Sequence, residues 1–201
     1  MVLPESFYTG ANVLTIARQL IGKVLVTRFN DKYTAGMIVE TEAYEGATDK
    51  ASHAWGGRRT SRTEIMYLKG GVAYVYLCYG IHHLFNVVTN DINTPHAVLI
   101  RGVEPLEGAD VMLLRRKMNS VKPQLTGGPG ALSEALGIKT SHTGISLQGP
   151  ELYIEDRGIK IRQSDIIAGT RVGVAYAAEH ALLPYRFYLK DNKFVSKGKG
   201  L

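Results

Sequence analysis

Residues 38–44 read IVETEAY, and the fold turns on how this stretch is taken. Its β-branched residues favour a strand. Side chains alternate along a strand, so Ile38, Glu40, Glu42 and Tyr44 would share one face. Met37, Val39, Thr41 and Ala43 would share the other. Two readings fit this pattern. In one, the glutamates lie on the solvated face of a half-covered antiparallel strand. In the other, a carboxylate is held beside a ring in a site that binds something flat.

The flanking sequence extends the strand into a hairpin. KVLVTRF (23–29) reads as a strand, Asn30-Asp31 as a turn, and YTAGMIVETEAY (33–44) as the return strand. Upstream, Val13, Ile16, Ala17 and Leu20 follow helical spacing, and Gly22 can end that helix. Downstream, residues 46–62 (GATDKASHAWGGRRTSR) are loop-like, and Ser61 with Glu64 reads as a capping box opening a short helix. Three strands are predicted next: VAYVYLCY (72–79), HLFNVVT (83–89) and AVLIRGV (97–103). A helix over 104–118 would place Val111, Leu114 and Met118 on one face. A glycine-rich loop then leads into a second helix, with Pro129 near its first turn. From residue 143 to 189 the chain reads as mostly strand, and the basic tail KDNKFVSKGKGL (190–201) as frayed. No repeat or linker divides the chain. The expectation is one mixed α+β domain over residues 1–201, with a curved, largely antiparallel sheet and peripheral helices.

Composition narrows the function classes. The 201 residues include 24 Lys plus Arg against 18 Asp plus Glu, a net charge of +6 that favours a polyanionic partner. A single cysteine, Cys78, excludes an intrachain disulfide and cysteine-rich zinc motifs, and fits a reducing cytosol. The N-terminus lacks the basic and apolar regions of a signal peptide, which points to the cytoplasm. Residues 70–90 carry no Lys, Arg, Asp or Glu, yet two histidines, two asparagines, three tyrosines and a central glycine fit a strand pair better than a membrane span. Adjacent His82 and His83 point opposite ways on a strand, and no third ligand stands at metal spacing, so neither metal nor cofactor is expected. Cys78 reads as an inert strand residue.

Aromatic and basic residues suggest a flat, anionic ligand. Tyr74 and Tyr76 share a strand face, whereas Tyr79 falls on the other face or in the turn with Gly80. Rings near basic residues are what stacking on nucleic acid requires. Arg58, Arg59 and Arg62, in the loop after the glutamate strand, form a plausible phosphate clamp. Residues 127–130 could aim backbone N–H groups at a phosphate. A non-catalytic nucleic-acid-binding module would explain charge and rings but leave Glu42 idle. A nucleoside hydrolase would explain Glu42 but not the arginine loop.

Five motifs in order, VETEAY, the following His53, YVYLCYG with Asn86 downstream, RGVEPLEG and RVGVAYA, resemble the alkyladenine (3-methyladenine) DNA glycosylase family of base-excision repair. The likeness runs from about Phe7 to about Tyr188. It implies a monofunctional hydrolase that flips alkylated or deaminated purines out of double-stranded DNA and cuts the N-glycosidic bond, as a monomer without cofactor or membrane, nucleoid-associated if bacterial. By the resemblance, Glu42 activates water, and Arg101 and the Val172 carbonyl help to hold that water. Tyr44, His53 and Tyr76 stack on the flipped base, Asn86 crowds the guanine amino group, and Tyr79 intercalates. The resemblance gives Glu40 no catalytic role, which leaves it a salt-bridged or solvated structural carboxylate.

Overall fold

The hairpin forms as read. In the computed structural model, which describes residues 1–10, 12–198 and 200, β1 (Val24–Phe29) pairs antiparallel with β2 (Lys32–Tyr44). Asn30 and Asp31 both take positive φ, 52° and 58°, which short polar side chains tolerate and a tight hairpin turn requires. The other strands are β3 (Ala73–Cys78), β4 (His82–Thr89), β5 (His96–Glu107), β6 (Leu152–Glu155), β7 (Ile166–Gly169) and β8 (Arg186–Leu189). They make one curled sheet of order β3-β4-β5-β2-β1-β6, every pairing antiparallel. β8 pairs with β7 and with residues 40–42 of β2. β2 therefore lies at the centre, with β5 along one edge and β1 and β8 sharing the other.

The helices cover this sheet. In α2 (Val13–Leu20), Asn12 caps the N-terminus by accepting from the Thr15 N–H at 2.8 Å. Its stripe of Val13, Ile16, Ala17 and Leu20 is fully buried, and Thr41 of β2 donates to the Ala17 carbonyl at 2.9 Å. These residues join Ile38, Phe85, Val98 and Ile100 in the main apolar core, and removing that surface from water is the chief force holding the fold. α4 (Pro129–Leu136) adds Leu132 and Leu136 to it. α1 (Glu5–Thr9) and α3 (Ala109–Arg116) complete the periphery.

Three readings need correction. α3 buries Met112, whereas Leu114 is exposed, so the apolar face is one residue away from the expected stripe. Starting the helix at Ala109 turns Met112 toward Leu125 and Ala135. Residues 143–189 hold only three strands of four residues each, separated by loops and by a 3-10 segment, Ala175–Leu182, where an alanine-rich run favours helical turns. The tail is not frayed where it is described: Phe194 is buried against Met37 and Val39 of β2, and Ser196 bonds to Glu40. Lys199 and Leu201 lie outside the described residues.

Candidate active site

The solvated-face reading of IVETEAY fails, because Glu40 and Glu42 are both 0 % exposed. Residues 35–43 are buried on both faces, which alternation along one strand cannot reveal. Two register shifts near Glu40 re-aim the side chains: Ile38 pairs with Val103, Glu40 with Gly102 and Thr41 with Ile100. Arg101 is the extra residue on β5. Its backbone carbonyl accepts from the Gly128 N–H at 2.9 Å, and its side chain turns in between the two glutamates.

Arg101 Nε lies 2.9 Å from Glu40 Oε1 and 3.5 Å from Glu42 Oε1. Arg186 Nε also donates to Glu40 Oε1, at 2.7 Å. Burial works against the Arg101 charge, but Glu42 and Glu40 outweigh it and raise its pKa. Two carboxylates and two guanidiniums balance, as a buried cluster must. Removing one member would leave an uncompensated charge, at about 3–5 kcal/mol.

Glu42 is gripped from two more sides. The Val172 N–H donates to its Oε1 at 2.7 Å, and the Tyr44 hydroxyl to its Oε2 at 2.8 Å. Burial, then the charge of Glu42, holds the Tyr44 pKa well above that of a free phenol, so Tyr44 stays a donor. Arg171 is fully buried beneath this group. It forks onto Asp49, donates to the Ala43 carbonyl, and stacks 4.8 Å from the Tyr44 ring centroid.

The rings line a cleft of about 440 Å3 that Tyr44, His53, Tyr76, Tyr79, Arg101, Val172 and Tyr176 share. Against it lies an inner cavity of about 40 Å3, walled by Asn86, Met66, Tyr74 and Ala97. Tyr44, His53, Tyr76 and Tyr176 line both spaces, so the two adjoin. His53 and Tyr76 touch edge to face at 4.7 Å and make one wall. Tyr44 belongs to a separate cluster with Val174 and Ala177. His53 bonds the Tyr74 hydroxyl at 2.8 Å. Burial, then the charges of Arg62 and Arg58, lowers its pKa to about 4, which leaves the ring neutral at physiological pH. Asn86 is pinned by its Nδ2, which donates to the Tyr74 and Leu84 carbonyls at 3.2 Å each, leaving Oδ1 as the free end of the amide.

At the mouth, Tyr79 and Gly80 turn the β3–β4 hairpin with φ of 51° and 72°. Tyr79 is 92 % exposed, and Leu77 and Ile81 beside it are exposed too. Cys78, at the strand end, is half-buried. The three arginines are not equivalent. Arg59 forks onto Glu64 and stacks over Tyr67, Arg62 lies 4.9 Å over the Tyr76 ring, and Arg58 is exposed. The expected Ser61–Glu64 capping box is absent because Arg59 takes Glu64. Thr60 and Thr63 bond each other's backbone instead. The N–H groups of Gly127 and Gly128 are spent on Pro123 and Arg101 and do not face a ligand.

The chain matches the family profile described as Methylpurine-DNA glycosylase over residues 6–193. The chain belongs to the methylpurine-DNA glycosylase family. It is similar to proteins named "Putative 3-methyladenine DNA glycosylase" from Chlamydia felis, 46 % identical over 96 % of this chain and 98 % of that one, and from Bacillus cytotoxicus, 46 % identical over 98 % and 100 %. A Bacillus cereus protein of the same name is 47 % identical over 98 % and 100 %. The chain is thus a DNA glycosylase, a hydrolase with a role in DNA repair. Among the described residues of this glycosylase, no helix is long and apolar enough to cross a membrane.

Sequence reasoning missed Arg186, Arg171, Asp49, Tyr176 and Ser196. Arg171 and Tyr176 stand inside or beside RVGVAYA and could have been flagged there. Nothing local marks Arg186 or Ser196.

Proposed function

We propose that this glycosylase excises alkylated purines, 3-methyladenine among them, from duplex DNA by hydrolysis with Glu42 as general base. The observation that carries this reading is Glu42 itself, a buried carboxylate at the foot of a ring-lined cleft with its orientation held by Val172 and Tyr44. A base inside the helix is out of reach of such a group, so the nucleotide must swing out, at a cost of a few kcal/mol. Tyr79 fills the gap that it leaves. The purine stacks between Tyr44 and the His53–Tyr76 wall, and stacking of about 1–3 kcal/mol per base accepts many shapes. A neutral His53 lets a cationic alkylated base settle without repulsion.

Water then attacks C1′ as the glycosidic bond breaks through an oxocarbenium-like state. The bonding pair leaves with the base, and Glu42 takes the water proton. Glu42 also faces the positive charge that grows on the sugar. Arg101 and the Val172 carbonyl orient the water. N3-alkylated adenine is already cationic and departs as a neutral base. Hypoxanthine and ethenoadenine are neutral in DNA, so their release would need a proton that 3-methyladenine does not. Arg58 and Arg62 meet the flanking phosphates. With no lysine among the site residues, the abasic strand is left uncut.

Duplexes carrying one defined lesion each test this, with free nucleosides in parallel. Release of 3-methyladenine from duplex, leaving an alkali-labile but unbroken strand, is the expected result. Release from free nucleosides at the same rate, or strand cleavage without alkali, overturns it.

A further inference from the structure

The C-terminal segment runs directly beneath the Glu42 site. The Ser196 N–H donates to Glu40 Oε2 at 2.6 Å, and its hydroxyl donates to Glu40 Oε1 at 2.9 Å. The same hydroxyl accepts from Arg101 Nη2 at 3.1 Å. Arg186 Nη2 reaches the Ser196 carbonyl at 3.4 Å. Ser196 thus touches every member of the buried cluster except Glu42. Phe194 anchors the segment in an apolar slot. Its carbonyl packs so tightly on Gly102 that a Cβ there would come within 2.7 Å, so only glycine beside Arg101 admits the tail. Four residues beyond Phe194, a Cβ at Gly198 would lie 2.7 Å from a Val172 methyl and 3.5 Å from Arg101 Nη2. Arg101 and Val172, two of the groups that contact Glu42, both rest on the tail.

Arg101 gives its Nε to Glu40, and its Nη2 goes to Ser196. Its ion pair with Glu42 is longer, at 3.5 Å. Its place beside Glu42 is therefore set by groups other than Glu42. We propose that the C-terminal segment is a strap for the hydrolytic site, with Ser196 and Glu40 as positioning residues that hold Arg101 against Glu42. This rests on the reading of Glu42 as general base. It also gives Glu40 a task, in place of the passive one expected from the sequence. A displaced Arg101 leaves the water unaligned, and misplacements of about 1 Å can cost on the order of a hundredfold in rate.

The test is single-turnover excision and lesion-duplex affinity for Ser196→Ala, Ser196→Thr and Glu40→Gln in the full chain. Ser196→Ala should slow base release about tenfold or more with affinity within about twofold of wild type, because Ser196 lines neither the cleft nor the hairpin and the stacking rings stay in place. Ser196→Thr, which keeps a hydroxyl, should restore most of the rate. Ser196 variants carry the test if the buried Glu40→Gln fails to fold. An effect through Arg101 must vanish when Arg101 is already gone, so Ser196→Ala should add little to Arg101→Gln in a double-mutant cycle. Full additivity in that cycle, loss of affinity in step with rate, or wild-type excision by Ser196→Ala overturns the strap. Glu42→Gln runs alongside: if it excises normally, the general-base reading has failed. If it is inactive while Ser196→Ala is unimpaired, only the strap has failed.

Discussion

Two regions of the molecule meet at the cleft and differ in every physical respect. Around Glu42, four charges are buried, paired and tied to backbone at Val172 and at Ser196. At the β3–β4 turn, Tyr79 and Ile81 are 92 % and 71 % exposed, with Leu77 exposed beside them. Groups that stabilise a developing charge work best when fixed in a dry site before the reaction begins. A group that enters a DNA helix must be exposed and must cost the fold nothing. The difference teaches that the buried cluster should govern the chemical step, and the bare tip should govern base opening.

The strongest way to break this division is Glu42→Gln. Base release should fall by at least about 10²–10⁴-fold, the usual contribution of a general base, with lesion DNA still bound. Wild-type release rates in single-turnover assays would remove Glu42 from the chemistry. Tyr79→Ala probes the other side. Filling the gap is worth a few kcal/mol, so excision of well-paired lesions should drop about 10- to 100-fold. Poorly paired lesions should suffer less, and thermal stability should not move. Fluorescence of 2-aminopurine placed beside the lesion reports opening, and an unchanged signal would make Tyr79 a surface residue only.

Asn86→Ser sharpens the picture within the cleft. It removes the amide held between Tyr74 and Leu84, so a guanine amino group should meet less hindrance. Excision of guanine from mismatches should rise roughly a few-fold to tenfold, since exclusion by clash is lost. No gain over wild type would remove Asn86 from selectivity.

His53 links burial to pH. Its folded pKa of about 4 lies below the ordinary 6.5, so between these values the unfolded chain takes the proton first. Stability is full above about pH 6.5, falls as pH drops toward 4, and levels off below. A His53→Gln variant should flatten that part of a denaturant-midpoint profile by up to about 3 kcal/mol. An unaltered profile would mean that the ring is not held neutral. The smallest effect is expected from chelation: prolonged EDTA dialysis should leave excision intact, and activity restored by a divalent ion would show that a site had been overlooked.

Periodicity and turn chemistry made much of the fold legible. The 3.6-residue stripe of α2, the Asn30-Asp31 turn and the Tyr79-Gly80 turn each depend on neighbours a few residues apart, and the sequence alone determined them. The resemblance in motif order singled out residues that the fold brings together: Tyr44, His53, Tyr76 and Arg101 line one cleft, and Glu42 lies buried against Tyr44 and Arg101. What only the tertiary structure decided is how that face of β2 is covered. Alternation records which side chains share a face, and it says nothing about what packs on it. Glu40 could be read only as a salt-bridged or solvated carboxylate because its partners lie far along the chain, Arg101 on β5, Arg186 on β8 and Ser196 at a separation of 156 residues. The bulge that turns Arg101 inward comes from a mismatch between two strands and leaves no mark on either. Charges of this kind become readable only when the chain has closed around them, because burial and pairing are properties of the assembled surroundings and not of any local pattern.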